Sequence, residues 1–487
     1  MSAPQASRFD LVVIGGGPAG QKAAVQASKA GRRALLIDRE ANAGGACVRY
    51  GTIPSKTLRE TAVAFEAFGR RTGGVVDVKV PGSTRLASLM TRLDHVVRGN
   101  EEFLTAQLQR NHVEVWHGRA RFVSPRELEV TDLHGDVRRA TGTAIVVATG
   151  SSPRVPTDIP IDHEHILDSD SILTIAWLPK SLIVLGAGVI ACEYASVFAA
   201  LGTQVTIVDA AARPLPFLDA ELVRGFTDAF ARCGGTFLGA HRAKTVAWNG
   251  LDAVEVTLDD GTPLRAEKLL FALGRTANLD GLNIGAAGLV ASSRGTLEVD
   301  PCFRTPVPHI YAVGDVIGPP ALAATAMEQG RRAACHALGL PAGGRGELVP
   351  IGVYTVPEMA CVGLDEDAAR ARFGDVLVGR AKFDELARGR IAGAEGGLLK
   401  LVVDPAGERL LGVHVVGDGA TELVHVGQMA IVGGLAVDVF VEQALNFPTL
   451  AEAYRVAALD VINQRARRAT VDRVARARLA DTLPASS

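Results

Sequence analysis

No two cysteines in this sequence stand close enough to form a CxxC pair. The six cysteines fall at positions 47, 192, 233, 302, 335 and 361. That scatter excludes the usual spacing of a structural zinc site and a disulfide framework. Charge of one sign is also missing. The net charge is −2, so no global field favours nucleic acid or an anionic membrane surface. No apolar run reaches the length that spans a bilayer. The first residues, Met1 to Phe9, lack the cationic start of a signal peptide. The expectation is a soluble cytoplasmic protein with no membrane partner, no nucleic-acid partner and no metal. Apolar residues make up 48% and charged residues 21%, a balance suited to packed cores rather than disorder. At 487 residues the chain exceeds one ordinary core, so two to four domains are expected.

Glycine is what the sequence has, and it has it in pattern. Leu11-Val12-Val13-Ile14 runs into Gly15-x-Gly17-x-x-Gly20, with Pro18 and Ala19 inside the motif. Leu182-Ile183-Val184-Leu185 runs into Gly186-x-Gly188-x-x-Ala191, with Val189 and Ile190 inside. Each first glycine is followed 23 residues later by an acid that closes another apolar run, Asp38 in one case and Asp209 in the other. The pattern has a physical reading. The glycines let backbone approach a pyrophosphate, the helix N-terminus supplies N–H donors and positive dipole, and the acid accepts a ribose hydroxyl. One such unit suggests a nucleotide site. Two suggest a protein that holds two dinucleotides and moves electrons between them.

The two units form a weak repeat, 171 residues apart. Ala144 to Gly150 ends the first and Lys268 to Arg275 ends the second, each as a buried strand running into a glycine turn. Proline-rich Ser151 to Pro160 reads as a crossover. Arg85 to Asn111 reads as a long amphipathic helix, and Leu322 to Leu338 as a helix. Beyond Gly346 the texture becomes α+β, with strands at Leu398 to Val403 and Leu411 to Val416. Arg465 to Ser487 is arginine-rich and reads as a solvated terminal helix with a frayed end rather than a nucleic-acid arm. The histidines, His309, His414 and His425 among them, form no metal constellation.

The run Gly44-Gly45-Ala46-Cys47-Val48-Arg49-Tyr50-Gly51-Thr52-Ile53-Pro54-Ser55-Lys56 then carries a resemblance. Together with both glycine turns, Ala148-Thr149-Gly150 and Ala312-Val313-Gly314-Asp315, it resembles the flavin-dependent pyridine nucleotide–disulfide oxidoreductases over roughly residues 9 to 464. The resemblance implies an α/β fold with two Rossmann-like domains, for FAD and NAD(P), plus a C-terminal α+β dimerisation domain and a homodimer. The implied boundaries are 1–152 and 276–345 for the FAD domain, 153–275 for the NAD(P) domain, 346–464 for the interface domain and 465–487 for the basic extension. It places FAD on Gly15, Gly17, Pro18, Ala19, Gly20, Asp38, Arg39, Gly44, Gly45, Cys47, Lys56, Ala120, Thr149, Gly150, Asp315, Leu322 and Ala323. It places NAD(P) on Gly186, Gly188, Val189, Ile190, Glu193, Asp209, Arg213 and Gly274.

The departures from that family are informative. Its disulfide enzymes carry a second cysteine where this chain has Thr52, and a histidine before a proline where this chain has Phe447 and Pro448. A threonine forms no disulfide and a phenylalanine moves no proton. Both halves of the thiol machinery are absent together. The implied activity is therefore Si-specific hydride transfer between NADPH and NAD+ through flavin N5, in a ping-pong scheme that uses no disulfide. Lys56 and Glu193 are the expected catalytic pair beside the flavin. Cys47 is expected beside it too, more as a small buried residue than as a redox group. Asp209 favours NAD and disfavours the 2′-phosphate of NADP, with Arg213 placed to reach that phosphate. The alternatives are an NAD(P)H-dependent quinone or dye reductase of the same fold and a Cys47-based peroxidase.

Overall fold

The computed structural model describes residues 6–72, 82–344, 346 and 348–482. Two compact units emerge. One comprises Met1–Leu58, Val80–Leu178 and Leu270–Arg345; the other comprises Arg59–Lys79, Pro179–Leu269 and Gly346–Ser487.

The first unit is built on the strand Ser7–Ile14. It pairs in parallel with Ala34–Asp38 on one side and with Val137–Val147 on the other, and Glu114–His117 extends the parallel edge beyond Asp38. The strand Ile310–Ala312 also pairs in parallel with Val137–Val147. Past this core, Glu127–Thr131 and Arg119–Ser124 continue the sheet antiparallel. Leu11 and Val13 face a cluster containing Ala23, Ala24 and Ala333. Val12 and Ile14 face another, containing Phe122, Leu128 and Ile145. A strand covered on both faces has no polar side to present, so its sequence is continuously apolar instead of alternating.

The helices that cover this sheet begin and end for local reasons. Pro18–Lys29 opens on Gly17 as N-cap with Pro18 in the first turn, where a missing N–H costs nothing. Ala323–Ala337 lies against it so closely that a Cβ at Gly330 would fall 2.0 Å from the Ala19 carbonyl oxygen. The second helix was expected from Leu322 to Leu338; those two residues are its caps. The long helix expected over 85–111 spans Gly82–Arg110. Ser151–Pro153, read from its prolines as crossover, is a three-residue strand paired antiparallel with Arg275–Ala277.

In the second unit, Ser181–Leu185 and Thr236–Gly239 flank Gln204–Asp209 in parallel. A three-stranded antiparallel sheet, Ala243–Trp248, Val254–Leu258 and Pro263–Ala266, follows. The C-terminal portion is a five-stranded antiparallel sheet ordered Ile351–Val353, Met359–Gly363, Leu410–Val416, Leu398–Val403 and Leu377–Lys382. Helices Ala420–Val432 and Glu452–Thr482 pack on it around Tyr454, which is fully buried and donates its hydroxyl hydrogen to the Leu423 carbonyl. From Arg465 to Thr482 the basic stretch continues the last helix without a break, and the frayed end expected at residues 483–487 lies outside the described residues. Arg465 pairs with Asp438 at 2.6 Å and Arg468 with Asp375 at 2.7 Å.

Candidate functional site

Both glycine turns take the expected form. Gly15 has φ +105° and Gly186 has φ +111°, values that side chains rarely adopt. Gly17 and Gly188 each cap the following helix with nearly the same extended backbone, φ −72° and −78°. Both N-termini lack a side-chain cap, so their N–H groups stay available to a phosphate. Val189 and Ile190 begin the second helix as Pro18 and Ala19 begin the first. A Cβ at Gly15 would fall 2.3 Å from the Ala148 oxygen, and one at Gly20 would fall 1.9 Å from the Gly15 oxygen.

The two acids are held alike. Asp38 accepts from Gly16 N–H at 2.7 Å and from Glu40 N–H at 3.0 Å. Asp209 accepts from Ala187 N–H at 2.8 Å and from Ala211 N–H at 2.7 Å. Each carboxylate braces its own glycine turn and keeps lone pairs for a ribose. Burial pushes the Asp38 carboxyl above the usual range, against the opposing pull of the Glu40 and Gly16 N–H groups. Arg39 sits beside it, half on the surface, 3.4 Å from Glu40. A cavity of about 330 Å³ opens here, lined by Arg39, Glu40, Gly118, Arg119, Thr131, Asp132 and Leu133, with Ala120 next in the chain.

The Cys47 loop lies over the first turn. Gly44 and Gly45 have φ +148° and +59°, and a Cβ at Gly45 would fall 2.8 Å from Gly17 Cα. Cys47 rides on the short helix Gly45–Arg49; Thr52 opens the helix Thr52–Thr72, and Lys56 follows one turn later. Burial raises the Cys47 thiol pKa, while a hydrogen bond with Thr52 and the Lys56 charge pull the other way. The thiol is therefore not poised as a thiolate.

Asp315, Ser151 and Arg275 form a hydrogen-bonded chain in the first unit. Ser151 donates its hydroxyl to Asp315 at 2.7 Å, and Arg275 donates from Nε to the Ser151 hydroxyl and from Nη2 to its carbonyl, both at 2.8 Å. Thr149 Oγ1 is buried with no hydrogen-bond partner. Gly150 and Gly274, with φ +71° and +109°, immediately precede Ser151 and Arg275. The sequence reading missed Ser151 and Arg275 as site residues. Each follows one of the two strand-ending glycines, a placement that carries no spacing rule until the two strands pair. Leu322 and Ala323 open the helix whose Gln329 accepts from Gly314 N–H at 2.8 Å.

In the second unit Glu193 is buried and accepts from Tyr354 N–H at 2.9 Å; one turn on, Ser196 accepts from Val356 N–H at 3.0 Å. Arg213 donates through Nη2 to the Pro216 carbonyl at 2.8 Å, while its Nη1 is buried without a partner. His309 and His414 bond the Pro125 and Leu364 carbonyls, and His425 bonds Gln428. His241, which the sequence reading passed over, lies 3.6 Å from Asp259 and 3.7 Å from Asp260 on the surface. Both of those carboxylates already accept backbone N–H groups, from Arg242 and Thr262.

Comparison with known proteins agrees with this geometry. Residues 9–330 match the family described as pyridine nucleotide-disulphide oxidoreductase, and residues 349–458 match its dimerisation domain. The chain belongs to the pyridine nucleotide-disulphide oxidoreductase family. Membership brings FAD as cofactor and nicotinamide nucleotides as substrates. The glycine cradles and the orphaned Thr149 hydroxyl fit such dinucleotides. A soluble pyridine nucleotide transhydrogenase of Mycobacterium bovis (strain BCG / Pasteur 1173P2) is 43% identical over 457 residues, covering 94% of this chain and 97% of the relative. One from Citrobacter koseri is 38% identical over 466 residues, covering 95% and 99%. Among solved structures of the family fold, LpdA of Mycobacterium tuberculosis matches with a TM-score of 0.85 at 28% identity, covering 93% of this chain and 99% of LpdA. The flavoprotein disulfide reductase RclA of Escherichia coli matches at 0.84 and 26%, with the same coverage. Where that relative is named a disulfide reductase, this chain has the free Cys47 and, five residues on, Thr52. Among the described residues no helix is long and apolar enough to cross a membrane.

Proposed function

We propose that this protein transfers hydride between NADPH and NAD+ by a ping-pong route, without a redox disulfide. The observation that carries the reading is Thr52, a threonine where a second cysteine would have to stand beside Cys47, in a chain that keeps both glycine turns intact. When bound, FAD supplies a ring that takes hydride from one nicotinamide and returns it to another.

The protein's own part is binding, orientation and charge. Gly15, Gly17 and Gly20 bring backbone to the FAD pyrophosphate, Asp38 holds the adenosine ribose, and Asp315, steadied by Ser151 and Arg275, holds the ribityl chain. The Lys56 ammonium supplies positive charge at the flavin loop, which favours the reduced ring. Glu193, buried on the helix that the second turn opens, is the other proposed catalytic residue, and a Glu193→Gln variant with undiminished hydride transfer would refute that role. Because Thr52 offers a hydroxyl, no second thiol draws electrons off the ring. At the second turn, Gly188 leaves open space for nucleotides that enter and leave in turn. Asp209 takes the NAD ribose, and the buried unpartnered Nη1 of Arg213 turns to the 2′-phosphate of NADP.

Homodimerisation through the C-terminal domain, a cytoplasmic location and Si-face transfer belong to the same reading. Sedimentation tests the first and fractionation the second. Stereospecifically deuterated NADPH tests the third. The decisive experiment is anaerobic stopped-flow reduction of the purified protein by NADPH, followed by reoxidation with thio-NAD+. Rapid bleaching and recovery of the flavin band is expected. Reoxidation by quinone but not by thio-NAD+ would replace this reading with that of a quinone reductase. The raised Cys47 pKa weighs against a peroxidase, because peroxide is attacked by thiolate.

A further inference from the structure

The second unit contains a buried ionic cluster that the chemistry above does not use. Lys400 lies on the strand Leu398–Val403 of the C-terminal sheet, and its side chain is 3% exposed. Its ammonium meets three carboxylates: Asp219 at 2.8 Å, Glu221 at 2.9 Å and Glu366 at 2.7 Å. The ammonium donates a hydrogen bond to Asp219 and is ion-paired with the other two. Arg380 bridges the same Glu221 and Glu366 at 2.9 and 3.1 Å, and Arg370 completes Glu366 at 2.9 Å. Three cations face three acids.

Such a cluster is a poor source of net stability. Desolvating the ions costs about what their attraction returns, and a well-packed apolar replacement is often neutral. What it contributes is geometric definition, and the position of Asp219 says of what. Asp219 caps the helix Ala220–Arg232, accepting from Glu221 N–H at 2.9 Å. It also ends the loop that begins at Asp209, the acid of the second nucleotide turn. Along that loop, Leu215 is fully buried with φ +47° and donates its N–H to the Ala187 carbonyl, the second position of the glycine turn. Arg213 bonds Pro216 two residues before Leu218, which is itself buried. The loop is therefore pinned at one end to the glycine turn and at the other to Lys400. The helix after it lies tight on the C-terminal sheet, where a Cβ at Gly225 would fall 3.1 Å from Val416.

We propose that Lys400 is a positioning residue for nucleotide discrimination, acting through Asp219 to fix the loop that presents Asp209 and Arg213. A loop that must offer a carboxylate to one ribose and a guanidinium to another's phosphate needs its backbone held from both ends. A displacement of an ångström there degrades alignment well out of proportion to its size. The proposal rests on the reading of the second glycine turn as a nucleotide site.

Its test uses the full-length flavin-loaded protein, with NADP+ and NAD+ affinities measured by calorimetric titration. Lys400→Met keeps length and removes the charge; Glu366→Gln loosens the cluster from its more exposed side. Lys400→Met is expected to weaken NADP+ binding about tenfold and NAD+ binding about threefold. Glu366→Gln should follow in the same order with smaller steps. Flavin content should hold in both variants, and turnover of saturating NADPH with a dye acceptor should stay within about twofold of the parent. Unchanged affinities in either flavin-replete variant overturn the proposal while leaving the nucleotide site standing. Absence of any titration with the parent protein overturns both. If Lys400→Met does not fold, unchanged affinities in Glu366→Gln suffice to reject it.

Discussion

The two glycine turns are near copies in backbone and differ in what surrounds them. In both, the first glycine donates its N–H to the strand carrying the acid, Gly15 to Ile37 and Gly186 to Val208, each at 2.8 Å. The carbonyl at the second position accepts from a later loop in both, from Gly44 N–H at one turn and from Leu215 N–H at the other. The difference is closure. At the first turn Gly45 lies on Gly17, and Gly20 leaves no room for a methyl against Gly15. At the second, Gly188 faces open space and the third glycine is already Ala191, fully buried without conflict. A cradle roofed by its own chain suits a cofactor that stays. An unroofed one suits a nucleotide that exchanges. In the proposed function the same motif takes two roles, set by its covering and by Gly20 against Ala191 at its third position.

That contrast can be broken first at its tightest contact. Gly20→Ala places a methyl 1.9 Å from the Gly15 oxygen, so the variant should fail to retain flavin. Ala191→Gly, the mirror change, should cost only about 1 kcal/mol of helix propensity. Flavin absorbance per polypeptide and thermal unfolding read both, and equal flavin loss in the two would refute the asymmetry.

The roof comes next. Gly45→Ala strains a residue at φ +59° and pushes on Gly17, so flavin occupancy should fall severalfold. Gly188→Ala has ordinary φ and open space, so it should keep its flavin and weaken NADPH binding instead. Flavin loss from Gly188→Ala would mean that the second turn is closed as well.

Subtler still is the division of labour after Asp209. Arg213→Ala should raise the NADPH KM about tenfold, the scale of one lost charge-assisted contact, and leave NADH nearly unmoved. Asp209→Asn should do the reverse, with a smaller effect on NADH. An unchanged NADPH KM in Arg213→Ala would count against the phosphate role. The smallest change is expected from Thr149→Val. It removes an orphaned buried hydroxyl, so the flavin-free protein should gain up to about 1 kcal/mol and flavin affinity should drop slightly. Equal stability with and without the hydroxyl in flavin-free protein would show that water already satisfies it.

Much of this was legible in the chain. The apolar runs at Leu11–Ile14 and Leu182–Leu185, the glycines after them and the acids 23 residues on are local signals, and each took its expected place. Thr52 and Phe447 were legible as departures from a family pattern. Ser151 and Arg275 were not read as site residues, because a serine and an arginine after a glycine carry no spacing rule; they become a site only when two strands pair. The Lys400 cluster was hidden for a stronger reason. Its members come from positions 219, 221, 366, 370, 380 and 400, and no periodicity links a lysine within an apolar strand to acids at a distant helix start.

Backbone conformation answers to near neighbours, so a strand, its glycine turn and the helix it opens are written in about twenty consecutive residues. Coverage is different. Whether Gly17 is roofed by Gly45, or Lys400 finds its three carboxylates, depends on segments brought together from far along the chain. Desolvation and close packing exist only once those segments meet, and on them rests the proposed division between a site for holding and a site for exchange.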